Sequence, residues 1–301
     1  MHDRGRRKWW VVGCWVVPAI GILAIAIIAG LTWWSSRAAD PRSDLLVHEN
    51  SAPDTDAHRD QDPGSATNTL RVLLELDGCE VYIEPAAPGG ALRVEAHYDA
   101  HDYRIEEFAE EGTPDVYRLQ FLITRSRWIT GLKQGFRGGQ PQIRISLPVD
   151  RPLELVLVQR NGGALVDLSG LHLLTAEFDV SGTLLTVDSD ERLQGDLERF
   201  TVNGRKGWLV LESLDLMEPK HVDIDFRMGQ AQLDFRGTWV SDTTVDLSMS
   251  MADAIVRLPR DARITGIGAD PVAPAIDEEL RPPTLEFSVD SGRRTTLRVF
   301  E

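Results

Sequence analysis

Val222-Asp223-Ile224-Asp225-Phe226-Arg227-Met228-Gly229-Gln230-Ala231-Gln232-Leu233-Asp234-Phe235 alternates apolar and polar residues on both sides of a glycine. A period of two marks a half-buried strand, and the glycine offers a bend. The pattern recurs along the chain. Upstream, Phe200 and Val202 lead through Asn203-Gly204 to Leu209 and Leu211, and Phe178 and Val180 lead through Ser181-Gly182 to Leu185 and Val187. Earlier still, Asn161-Gly162 is followed by Ala164, Val166 and Leu168; downstream, Val245, Leu247 and Met249 lead past Ala252 to Val256 and Leu258. The turn positions 162, 182, 204, 229 and 252 differ by 20, 22, 25 and 23. Strand, turn and strand at a near-fixed interval predict an all-β, single-stack β-solenoid, with rungs about 4.8 Å apart. A β-sandwich of hairpins shares these turn signals, but the regular interval favours the solenoid. Leu76-Asp77-Gly78-Cys79-Glu80-Val81 reads as one outer rung, and Phe287 to Gly292 with Leu297 and Val299 as the other.

Ile145-Ser146-Leu147-Pro148-Val149-Asp150-Arg151-Pro152-Leu153-Glu154-Leu155, followed by Gly163-Ala164-Leu165-Val166-Asp167-Leu168-Ser169-Gly170-Leu171, resembles the bacterial toast-rack and adhesin-like β-solenoid domains. So does Leu233-Asp234-Phe235-Arg236-Gly237-Thr238-Trp239, running on to Val256-Arg257-Leu258-Pro259-Arg260-Asp261. The resemblance covers about residues 70–300 and includes LiaF-like envelope proteins. It implies an extracytoplasmic or membrane-tethered role and carries over no catalytic residue. The chain departs from the pattern at Ala252, which stands where a turn glycine is usual, and in an insertion around Ile267–Arg281 within the 261–283 segment.

The N-terminus has a different character. Residues 1–8 hold Arg4, Arg6, Arg7 and Lys8 against Asp3, while the whole chain carries −15. Trp9 to Trp34 is then free of charge for 26 residues. As a helix it would rise about 39 Å, enough to cross a hydrocarbon core of about 30 Å. Trp9, Trp10, Trp33 and Trp34 sit at its two ends, where indole rings favour the membrane interface. The basic tail predicts residues 1–8 in the cytoplasm and the rest beyond the inner membrane, as a single-pass anchor. A cleaved signal peptide would have a shorter apolar region. Ala26 and Gly30 form one small-xxx-small pair, which leaves a homo-oligomer open.

Residues 35–68 are polar, with three prolines and seven acids, and predict a disordered tether. The expected organisation is therefore tail 1–8, transmembrane helix 9–34, linker 35–68 and β-solenoid domain 69–301. The acidity of that domain argues against nucleic acid as a partner, which would need clustered lysine and arginine. Cys14 lies in the apolar segment and Cys79 far from it, so Cys79 reads as a buried free thiol, the alternative being a disulfide between chains.

No nucleophile elbow, phosphate loop, HExxH or CxxC motif is present, so the sequence predicts no catalytic, cofactor or metal residues. His97 and His101 near Asp99 and Asp102 resemble a metal cluster, but on one strand the histidines would stand about 13 Å apart. Asp188-Ser189-Asp190-Glu191 and Asp223-Ile224-Asp225 lack calcium-loop spacing. Paired carboxylates in so acidic a chain keep a carbohydrate-active enzyme as one alternative. The local exception is 125–144, with five basic residues and no acid. Arg125, Arg127, Trp128, Lys133, Phe136 and Arg137 form its candidate contact for an anionic partner, with pairing to the protein's own acids as the competing reading. The expected function is binding or scaffolding in the cell envelope, adhesin-like, with the bilayer and an envelope polymer or membrane protein as partners. The other alternative is a regulator of an envelope-stress signalling partner.

Overall fold

The computed structural model describes residues 43–49, 69–100, 102–110, 115–124, 140–266, 283–292 and 295–300. The expected tail and helix (1–34), the six candidate contact residues of the basic loop, His101 and the Ile267–Arg281 insertion lie outside the described residues. Among the described residues no helix is long and apolar enough to cross a membrane.

The described chain is all-β. Its strands are β1 (Ser43–Glu49), β2 (Leu70–Pro85), β3 (Arg93–Asp99), β4 (Tyr103–Glu110), β5 (Asp115–Ile123), β6 (Gln142–Leu147), β7 (Leu153–Asp167), β8 (Leu173–Asp188) and β9 (Arg199–Leu211). After a single helical turn, α1 (Leu214–Met217), come β10 (His221–Asp234), β11 (Thr243–Arg257), β12 (Arg263–Thr265), β13 (Thr284–Ser291) and β14 (Thr296–Phe300). All the strands join one sheet. Strands β2, β7, β8, β9, β10 and β11 lie side by side in parallel, almost without register slip. Consecutive strands of this stack are parallel neighbours, not hairpins, which is consistent with the solenoid reading and removes the basis for the sandwich. β13 and β14 continue the stack by pairing with the two halves of β11. At the other end β5 and β6 pair with the two halves of β2.

Each long strand is bent by one residue with left-handed backbone. Gly78, Asn161, Gly182, Lys206, Met228 and Met251 have φ between 53° and 70° and fall opposite one another across the ladder. This residue also resets the alternation. In β8, Ala176, Phe178 and Val180 are buried before the bend and Thr183, Leu185 and Val187 after it, so the buried set passes from even to odd numbers. A shift of one residue moves every following side chain to the other face of a strand. Here the bend compensates, and both arms of each rung turn their apolar side chains inward. The connecting segments close the core with Leu168, Leu171, Leu193, Leu197, Leu214, Met217 and Trp239, all buried.

The bends lie within two residues of the expected turns. Gly162 and Gly229 answer a different need, since a Cβ on either would land on a carbonyl oxygen of the preceding rung, that of Cys79 or of Gly207. Gly204 is not at the bend; its missing side chain gives room to the Phe226 ring of the next rung. Ala252 follows Gly229 in the same column and is buried with its methyl in place.

A left-handed conformation costs an ordinary residue about 1–2 kcal/mol, and glycine loses part of that gain through its freer unfolded chain. Met228 is partly exposed, so its side chain adds little packing. Met228→Gly is expected to raise stability by about 0.5–1 kcal/mol, seen as a higher urea midpoint. A lower midpoint would place the strain elsewhere.

The expected linker is corrected at one point. Residues 43–49 form β1 and pair antiparallel with β3 along their whole length. Leu45, Leu46 and Val47 make an apolar run within the acidic segment, and the β3 edge offers unpaired backbone groups to receive it. Cys79 is a buried free thiol, and burial pushes it up to about 12.

Candidate binding face

Alternation decides which side chains face out on the second arms of the rungs. Val81, Ile83, Ile143 and Ile145 are buried, so their neighbours Glu80, Tyr82, Gln142 and Arg144 point to solvent. Strand register sets these outward residues in two rows. Glu95, Arg144, Tyr82 and Leu165 stand side by side on β3, β6, β2 and β7. In the next row stand His97, Gln142, Glu80, Gly163, Leu184 and Trp208, from β3 to β9.

The β3 end of both rows is polar. Tyr82, Glu95, His97, Gln142 and Arg144 line a shallow cavity of 380 Å³. The Glu80 carboxylate accepts from the Tyr82 hydroxyl (3.3 Å) and the Gln142 amide (3.1 Å), fixing both side chains. Desolvation and the negative charge of Glu80 raise the Tyr82 phenol above its ordinary value, so it stays a donor. Arg144 lies 3.8 Å from Glu84, and Arg93 holds Glu95 at 2.7 Å. The other end is apolar. Leu165, Leu184 and Trp208 are 45%, 43% and 55% exposed, so water reaches large apolar side chains on an ordered sheet. Between the two ends Gly163 leaves a gap, for nothing stands within 4 Å of where its Cβ would be.

Of the residues singled out in sequence, His97 lines this cavity, and no group of three potential metal ligands occurs among the described residues. The acids 188–191 belong to a turn. The Ser189 hydroxyl donates to the Glu191 carbonyl at 2.6 Å, and the Asp190 amide to the Ser169 hydroxyl at 2.8 Å. Asp223 and Asp225 face outward on a first arm, and Asp225 pairs with Arg227 at 2.8 Å. Of the residues flanking the basic segment, Ile123 lies against Gly78 at the corner and Gln142 pairs beside Glu80. Arg144 was legible only as the last of the five basic residues of 125–144, and Tyr82, Glu95 and Gln142 were not picked out by sequence, because their meeting depends on β6 pairing between β3 and β2. Leu184 and Trp208 carry a readable signal, as apolar residues at outward positions next to inward Leu185 and Leu209.

No family model matches the chain, and no curated protein matches it significantly. Among solved structures it is similar to a candidate cell adhesion protein from Clostridium sporogenes, at 12% identity and a TM-score of 0.34, over 86% of this chain and 99% of that one. It is also similar to a candidate adhesin from Bacteroides fragilis, at 10% identity and a TM-score of 0.40, over 86% of this chain and 98% of that one.

Proposed function

We propose that this chain is a membrane-anchored, adhesin-like binding or scaffold protein of the bacterial cell envelope, with its β-solenoid beyond the inner membrane. It acts by contact, not catalysis. The observation that supports this reading is the outward apolar strip of Leu165, Leu184 and Trp208. Contiguous apolar side chains left in water mark surfaces that meet a partner. The in-register pairing of β7, β8 and β9 holds these three side chains on one continuous hydrogen-bonded sheet. The uncharged span from Trp9 to Trp34 and the basic residues before it support the anchor and its orientation.

A membrane-impermeant crosslinker applied to spheroplasts tests orientation and contact together. The intact chain is expected to form a discrete adduct with an envelope component. Trp208→Asp combined with Leu184→Glu is expected to abolish that adduct with little change in melting temperature, since both side chains are exposed. No adduct, or one indifferent to the two substitutions, would refute the reading.

A further inference from the structure

From the two outward rows we infer a binding site for an uncharged glycan, running from the Tyr82 cavity across Gly163 to Trp208. This inference rests on the binding reading above and gives that face its ligand class.

A sugar ring offers two kinds of surface, hydroxyl groups that donate and accept around its edge and C–H groups across its face. The rows supply partners for both. Glu80 and Glu95 accept, Arg144 donates, and Gln142 and His97 can do either. The Tyr82 ring and the half-exposed Trp208 indole offer flat apolar surfaces to the C–H faces. Charge selects the class of glycan. The cationic Arg93 and Arg144 are matched by Glu80, Glu84 and Glu95, and two of the carboxylates are already engaged with the arginines. The Tyr82 end of the site therefore offers no surplus of positive charge to an anionic polymer.

Shape selects a polymer over a single sugar. The cavity is shallow, and Gly163, with nothing within 4 Å of where its Cβ would be, puts no side chain between it and Leu184 and Trp208. Tyr82 and Trp208 are three strand spacings apart, about 14 Å across the sheet, a span that calls for several linked sugars. Glu80 holds Tyr82 and Gln142 in place before any ligand arrives, which lowers the ordering cost of binding.

The test uses the full chain in detergent micelles and an array of neutral oligosaccharides comprising chitohexaose, cellohexaose and maltohexaose. At least one should bind saturably. Tyr82→Ala and Trp208→Ala should each weaken it by about fivefold to tenfold, the loss of one aromatic contact, while Tyr82→Phe should keep most of the affinity. Gly163→Val is the sharper variant, because its side chain fills open space on ordinary strand backbone. It should weaken binding at least as much while leaving the melting temperature within a degree or so of the parent, an effect a fold defect would not produce. Binding to none of the three, or binding unmoved by Tyr82→Ala and Gly163→Val, overturns the assignment. If no oligosaccharide binds but the Trp208→Asp, Leu184→Glu pair still abolishes a crosslinked protein adduct, the glycan assignment falls and the binding reading stands. If neither signal appears, both fall.

Discussion

Gly229→Ala should unfold the stack at urea concentrations where the parent chain remains folded, although the change adds one methyl group. Two independent constraints meet at this residue. Its φ of +148° lies in a region that is nearly closed to residues with a Cβ, a strain worth about 1–3 kcal/mol. The added Cβ would also fall on the Gly207 carbonyl of the rung beneath, where backbone, not a movable side chain, must give way. Together these should remove about 4 kcal/mol or more, in the range reserved for severe lesions. Ala252→Gly supplies the control. It lies next in the same column, and its backbone already carries a Cβ, so the cost should be about 1 kcal/mol or less. Equal urea midpoints for the two variants would contradict the column geometry.

Phe226→Ala is the second large effect. The ring is 1% exposed and occupies the space that Gly204 leaves on the neighbouring strand. Truncating a buried phenylalanine costs about 3–5 kcal/mol. Gly204→Ala alone overpacks the same space and should cost about 1–3 kcal/mol. The two sites share one volume, so their costs should not add. In the Phe226→Ala background the methyl at 204 partly refills the cavity, and the double variant should be more stable than the sum of the single losses. Denaturant melts of the four proteins complete the cycle; strict additivity would show that the ring does not occupy that gap.

These two glycines show how far the sequence could be read. The interval near 22 residues and the inward alternation of Phe178, Phe200, Phe226 and their neighbours were legible, because each reflects the period of a strand and the need to bury one face of it. The exact bend was not. Asn203-Gly204 has the composition of a turn, yet Gly204 serves packing and Lys206 takes the left-handed conformation. Composition records that a glycine is needed but not whether the need is for backbone freedom or for space. β1 was missed because its short apolar run gains structure only from a distant edge strand, β3. The polar end of the candidate face was missed for the same reason. It is assembled by pairing β3 with β6 and β6 with β2, an order no local pattern encodes.

The corner column separates the length of a rung from its phase. β5, which ends at Ile123, and β6, which begins at Gln142, pair residue for residue with the first and second arms of β2, although 18 residues separate them in sequence. The two arms of a rung can therefore come from stretches that are not contiguous in the chain while sharing one interior. Because the corners of successive rungs fall in one line, segments grafted at Asn161, Lys206 or Met228 would emerge along a single margin, spaced by the rise of the stack, as a ready-made display edge on an unchanged core.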